Sequence, residues 1–456
     1  MARFLTQKRF ITLMVIIATL WVSHALASGG EGHGSSEVAD VLYGLIIILL
    51  AAKLGGDFVE RFKQPAVLGE LVIGIIIGNL TLIGFDGFEA FKYSVTLEVL
   101  AEIGVIILLF EVGLESTIGE MMKVGVASFM VATFGVIAPF FLGWGVSAWF
   151  LPTESIYVHI FIGATLTATS VGITARVLKD IKRINTKEAK IILGAAVIDD
   201  IMGLVILAVV TGIIGAASGG GELGSGAVFF IVAKAVGFVI GALIIGNMLS
   251  PMIFRIGSHM HVKGMLLSIA LLICFALAYL ANLIGLAPIV GAFAAGLILE
   301  KVHYTEYRAW AGSSLEELIE PISTFLVPIF FVRMGMMVDL TTFGHADILL
   351  FAAVMTIVAI IGKQACSLAI FDKSTNRIAI GLGMIPRGEV GLIFAGIGAK
   401  LMLDGHPVIS TATFSAVIIM VIITTLVTPP FLKISMLRGG SNTLDDAKAE
   451  QAQNEA

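Results

Sequence analysis

Ala189-Lys190-Ile191-Ile192-Leu193-Gly194-Ala195-Ala196-Val197-Ile198-Asp199-Asp200-Ile201-Met202-Gly203-Leu204-Val205-Ile206-Leu207 sets two adjacent carboxylates inside an apolar run. Nothing in the following turns relieves their charge. A carboxylate at mid-bilayer depth costs at least ~2.5 kcal/mol, so two in succession point to function rather than packing. A membrane protein that keeps such a pair is expected to use it to exchange protons for a cation.

The composition places the run in a bilayer. Of 456 residues, 58% are hydrophobic and only 13% charged, and the mean hydropathy is +1.02. No soluble domain of this length needs that much apolar surface, so the chain reads as an all-α polytopic membrane protein. The two cysteines, Cys274 and Cys366, rule out a cysteine-based metal site and suggest no disulfide framework. No Gly-rich nucleotide fingerprint follows the last apolar run. Neither a cofactor nor a nucleic-acid partner is expected.

The ends read differently from the middle. Lys8 and Arg9 precede the apolar run 10–22, and Ala25-Leu26-Ala27 has the small-x-small form of a cleavage site. Residues 1–27 are therefore expected to be a secretory signal, with an uncleaved extra helix as the alternative. Residues 28–40 would be an exported, flexible N-terminus; His24 and His33, in or next to it, are too few for a metal tract. The polar, acidic stretch 437–456 is expected to be a short disordered cytoplasmic tail.

Between them lie thirteen apolar runs, most long enough to cross a bilayer. They fall at about 41–58, 65–85, 95–116, 125–151, 157–178, 189–215, 227–254, 264–285, 286–301, 319–340, 348–371, 377–402 and 410–436. Alternate loops, with the C-terminal flank, carry seventeen Lys and Arg, among them Arg61, Lys123, Arg183, Arg255, Lys301, Arg377 and Lys433. The opposite set carries only Lys92. The basic side is cytoplasmic by the positive-inside rule, which puts the C-terminus inside.

Two runs are interrupted. The fifth contains Gly163-Ala164-Thr165-Leu166-Thr167-Ala168-Thr169-Ser170-Val171-Gly172, and the twelfth contains Gly383-Met384-Ile385-Pro386-Arg387-Gly388-Glu389-Val390-Gly391. Runs five and twelve are an odd number apart and so run oppositely, as inverted repeats require. A proline kink with hydroxyls bonded to their own backbone is the alternative for either one alone. Asp199 and Asp200 are the eleventh and twelfth residues of their run, Thr167 the eleventh of its own, and Lys363 the sixteenth of the 348–371 run. All lie near the midplane, where transporters place substrate sites.

Successive helical residues point ~100° apart, so the two aspartates cannot face one cavity equally. One can face an ion path while the other meets a partner, for which Lys363 is suited; a snorkelling lysine is the alternative. Arg387 and Glu389 are expected to neutralise half-helix ends. Arg333 is a further intramembrane charge that could pair with Glu102 or Glu111. Glu70, Glu98 and Lys234 are expected in structural pairs, and His259 and His261 are expected to be ordinary loop histidines.

With these residues placed, the chain resembles a family. The Gly194-Ala195-Ala196-Val197-Ile198-Asp199-Asp200 segment is similar to the signature of the bacterial cation/proton antiporter-2 family, in its NapA-type sodium/proton branch. Thr167-Ala168-Thr169-Ser170, Gly362-Lys363, Pro386-Arg387-Gly388-Glu389-Val390-Gly391 and, more loosely, Pro65-Ala66-Val67-Leu68-Gly69-Glu70 follow in family order over about residues 40–436. The resemblance implies an NhaA/NapA-like antiporter fold of about 13 transmembrane helices, with inverted repeats and two crossing broken helices. It implies a core of about residues 125–215 and 348–436 that slides as an elevator against a dimerisation domain in a homodimer. Asp200 would carry the cation and the proton, and Asp199 would form a salt bridge with Lys363 that breaks on cation binding. Thr167, Thr169 and Ser170 would line the site, and Glu389 would compensate helix dipoles. The Asp-Asp pair implies electrogenic exchange. Glutathione-gated potassium efflux members carry a C-terminal nucleotide-binding domain, which is not expected here.

The expected function is therefore a secondary-active sodium/proton antiporter, not an enzyme, in the bacterial cytoplasmic membrane and in contact with its lipid. Potassium or lithium remains open as the cation, the metal being a transported ion held by Asp200 and Asp199. An intramembrane aspartyl protease would need its aspartates to face each other across a cleft, which neighbours on one helix do poorly. A channel-like potassium pathway would need a Thr-Val-Gly-Tyr-Gly filter, and the sequence has none.

Overall fold

Apolar surroundings leave backbone amides and carbonyls no water to bond, so a chain of this composition satisfies them within helices. The computed structural model describes residues 37–62, 64–115, 125–184, 186–218, 225–258, 264–299, 314–372, 375–403 and 405–438, and they are almost entirely helical. The expected signal, residues 28–36 of the exported N-terminus, residues 439–456 of the acidic tail, and His259 and His261 lie outside the described residues, while residues 37–40, expected to be flexible, open the first helix.

The described α-helices of seven or more residues are α1 Glu37–Glu60, α2 Ala66–Gly78, α3 Val95–Glu115, α4 Val126–Phe150, α5 Ile156–Thr165, α6 Val171–Asp180, α7 Lys187–Ser218 and α8 Ser225–Ser258. They continue as α9 Met265–Leu283, α10 Pro288–Ile298, α11 Leu315–Met336, α12 Ala346–Gln364, α13 Arg377–Gly383, α14 Glu389–Lys400 and α15 Thr411–Arg438. By length and composition, eight of the described helices can cross a membrane. The chain is a polytopic membrane protein. The other five apolar runs are not long, uniformly apolar helices. The 65–85 run gives thirteen helical residues and then a 3-10 turn. The 286–301 run gives eleven, starting at Pro288, whose fixed φ suits a first helical position. The 95–116 run is a full helix but carries Glu98, Glu102 and Glu111, and the fifth and twelfth runs are each split in two.

Packing groups these helices into two sets. In one, α1, α2, α3 and α11 pack on one another, α10 packs on α3, and α8 and α9 pack on α10. In the other, α4 packs on α5, α7 and α12, while α15 packs on α12, α13, α14 and α6. Contacts between the sets include those of α7 with α8 and of α7 with α10. A short antiparallel hairpin, β1 Met402–Leu403 with β2 His406–Pro407, follows α14, and its turn uses Gly405 at φ 82°.

Glycines set a close seam between α2 and α11. A Cβ on Gly335 of α11 would meet the Leu71 carbonyl oxygen of α2, and one on Gly74 of α2 would meet the Val332 carbonyl oxygen of α11. Backbones this close depend on small residues. Gly335→Val is expected to destabilise the protein by about 1–3 kcal/mol through overpacking, whereas Gly145→Ala, with open space around it, should be tolerated. Thermal midpoints of the two purified variants in detergent check this.

Candidate ion-binding site

The site is built on α7. Asp199 is fully buried and Asp200 only 8% exposed. The angular offset between successive residues divides their surroundings. Lys363, near the end of α12 and itself fully buried, donates from Nζ to Asp199 Oδ1 at 2.8 Å. Asp199 Oδ2 and Asp200 Oδ1 are buried without a hydrogen-bond partner. A buried carboxylate oxygen left unpaired is costly unless something supplies the missing partner. A proton or a cation can do so, and carboxylate, hydroxyl and carbonyl oxygens are the ligands hard cations take.

Beside α7 two broken helices cross. The chain leaves helix between α5 and α6 at residues 166–170 and between α13 and α14 at residues 384–388. Pro386 has no N–H to continue a helix. At the other break, threonine hydroxyls turn back on their own helix, Thr165 to the Phe161 carbonyl at 2.9 Å and Thr167 to the Ala164 carbonyl at 2.7 Å. The breaks bond to each other instead. Ser170 N–H donates to the Pro386 carbonyl at 2.9 Å, Thr169 Oγ1 to the Met384 carbonyl at 3.5 Å, and Thr174 Oγ1 to the Gly383 carbonyl at 2.6 Å. Gly388 has no room for a side chain, since a Cβ there would lie 2.5 Å from Ser170 Oγ.

Two charges sit in this crossing. The fully buried Arg387 guanidinium donates to the Ala168 carbonyl, and to the carbonyls of Thr167 at 3.4 Å and Ala359 at 3.5 Å. It therefore faces backbone just beyond the negative end of α5. Glu389 opens α14 at that helix's positive end and accepts a 2.7 Å bond from Ser170 Oγ. Each charge has the sign that a half-helix end favours. Ser170, Glu389, Gly388 and Thr425 line a cavity of about 300 Å³ whose far wall is the start of α2, from Pro65 to Leu71. The structure thus joins Asp199 to Lys363, and Thr169, Ser170, Arg387 and Glu389 to the crossing. The Thr167 hydroxyl is occupied within its own segment.

Some contacts were not readable from the sequence. Thr425 of α15 donates to the Arg387 carbonyl at 3.3 Å; only a threonine-rich stretch in the last span hints at it. Arg333 pairs with neither Glu102 nor Glu111. Its guanidinium donates to Glu98 Oε2 at 3.1 Å and to the Lys92 carbonyl at 3.2 Å, while Glu102 is held by Lys400 at 2.6 Å. The cause is helix direction. Arg333 lies in the last turn of α11 and Glu98 in the first turn of α3, and these ends meet. Glu111 is thirteen residues further along α3, about 20 Å away at 1.5 Å per residue.

The family described as sodium/hydrogen exchanger, transmembrane, matches residues 45–436. The chain is 40% identical to the high-affinity Na(+)/H(+) antiporter NhaS3 of Synechocystis, over 92% of this chain and 95% of that one. It is 35% identical to the Na(+)/H(+)-K(+) antiporter GerN of Bacillus cereus, over 86% of this chain and 96% of that one. In fold it is similar to the sodium proton antiporter MjNhaP1 of Methanocaldococcus jannaschii, with a TM-score of 0.69, 17% identity and coverage of 89% of this chain and 100% of the other.

Removing one member of the buried pair strands the other. Lys363→Ala is expected to destabilise the protein by about 3–5 kcal/mol. Adding Asp199→Asn should recover part of the loss, because the coupling is between neighbours. Thermal melting of the two single variants and the double variant measures it.

Proposed function

This chain belongs to the sodium/hydrogen exchanger family, and on that premise we propose that it is a sodium/proton antiporter whose carrier group is the Asp200 carboxylate. The observation that supports this best is the buried, unpartnered Asp200 oxygen beside a crossing of two broken helices. A proton or a sodium ion occupies Asp200 in turn, so each displaces the other and uptake of one is tied to release of the other. The similarity to the antiporters NhaS3 and GerN favours this exchange.

Asp199 and Lys363 form the second element. While paired they cancel each other's charge in a place without water. When a cation enters, Asp199 joins Asp200 in holding it and Lys363 is freed. Loss of a proton from Asp200 and another from the released Lys363 against one sodium ion moves net charge, which makes the exchange electrogenic. Thr169 and Ser170 hold the crossing in register, and Arg387 and Glu389 keep its half-helix ends neutral.

The packing supports alternating access between two bodies. The set containing α4–α7 and α12–α15 slides as an elevator against the set containing α1–α3 and α8–α11, which holds the homodimer together. All thirteen apolar runs cross the cytoplasmic membrane, the broken ones as inverted-repeat counterparts, with the C-terminus inside. Potassium/proton exchange is the second reading, favoured by the similarity to GerN, a Na(+)/H(+)-K(+) antiporter.

Inside-out vesicles with an acid-sensitive dye test both. Sodium is expected to release protons in the wild type, with apparent sodium affinity weakening as pH falls, and Asp200→Asn is expected to abolish the release. Release that survives Asp200→Asn moves the carrier elsewhere. Release by potassium but not by sodium selects the second reading.

A further inference from the structure

Away from the aspartates, a second set of charges bridges the two packed sets of helices. Lys400, the last residue of α14, reaches across to α3, where its Nζ lies 2.6 Å from Glu98 Oε1 and 2.6 Å from Glu102 Oε1. Glu98 is also held by Arg333, a 4%-exposed residue of α11. Around this cluster the helices do not pack tightly. Lys400 and Arg333 both line a cavity of about 540 Å³, which Glu102, Thr211 and Ile397 also border, and a second of about 230 Å³ bordered by Lys92 and Ala399. The ion pairs therefore cross open space between α14 and the α3–α11 face.

We propose that Lys400 with Glu98 and Glu102 is a latch that holds this end of the moving set against the stationary one, and that it must open in each transport cycle. The proposal rests on the sliding motion described above. Its chemistry suits a gate better than a lock. Lys400 is 38% and Glu102 57% exposed, so water takes over both charges when they part. Glu98 keeps Arg333, which sits on its own side of the gap, so opening strands no buried carboxylate. The short i, i+4 spacing of Glu98 and Glu102 offers Lys400 two acceptors on one helix face, which lets it shift from one to the other as the gap widens.

The test reads the gap directly. Ile397→Cys puts a thiol on the larger cavity, while the native Cys274 and Cys366 are buried. Its labelling by a membrane-impermeant maleimide, added on the side where α14 ends, is measured in vesicles. Lys400→Gln is expected to raise the labelling rate by roughly threefold to fivefold, the population shift set by one exposed ion pair. Glu102→Gln, which leaves Arg333 its partner, should raise it in the same direction by less, and Lys400→Arg should leave it unchanged. Unaltered labelling in Lys400→Gln overturns the latch, as does a lower thermal midpoint with no change in labelling. Sodium-driven exchange in Asp200→Asn is measured alongside. It judges the carrier assignment, and the labelling decides the latch whichever way that comes out.

Discussion

An ammonium and a carboxylate oxygen 2.8 Å apart, neither touching solvent, constrain more of this molecule than any other contact. Each would be prohibitive alone in that place. Together they fix the rotation of α7 against α12 and thereby determine which aspartate has an ion-pair partner. Each carboxylate keeps one buried oxygen without a partner, but only Asp199 has an ion-pair partner, so Asp200 is the one whose charge no side chain answers. The broken helices are arranged around this fact. Arg387 and Glu389 bring further charge to the crossing, each placed against a helix end or a hydroxyl, while the two carboxylate oxygens left without partners lie on α7.

The two packed sets are held by different means. Within the α1–α3 and α11 set the glycine seam brings carbonyls and α-carbons into contact, and such a surface has little freedom to slide. Between the sets the contacts involve cavities and partly exposed ions. Cavities and partly exposed ions at this part of the boundary leave room for one set to move past the other, and that is what supports the proposed elevator.

Much of the helix pattern could be read from the chain because bilayer thickness turns hydropathy into length. The eight long apolar helices fall on eight of the thirteen runs. The interruptions showed themselves through Pro386, Gly388 and the Thr167–Ser170 hydroxyls, residues that a continuous helix tolerates poorly. What could not be read is anything that depends on which helix ends meet. Arg333 might as easily have met Glu102 from its spacing alone, and only the antiparallel approach of α11 and α3 selects Glu98. The Lys400 bridge escaped notice for the same reason, since a lysine at a span end resembles any interfacial lysine. Thr425 was hidden by a different cause: a hydroxyl in a helix has its own backbone as a ready partner, so a threonine-rich stretch does not by itself point to the Arg387 carbonyl.

The small hairpin after α14 has a mechanical meaning. Val408 N–H bonds the Leu401 carbonyl and Ile409 N–H the Gly398 carbonyl, so the end of α14 is strapped to the start of α15. Ser218, at the far end of α7, donates to the Met402 carbonyl at 2.7 Å. The tip of α14 is thus clamped to the tip of the helix that carries Asp200, some eighteen residues or about 27 Å away along its axis. Acting as a stiff rod, α7 would carry any displacement of that tip to the aspartates, so that whatever pulls on one end of this lever is felt at the other without an intervening relay.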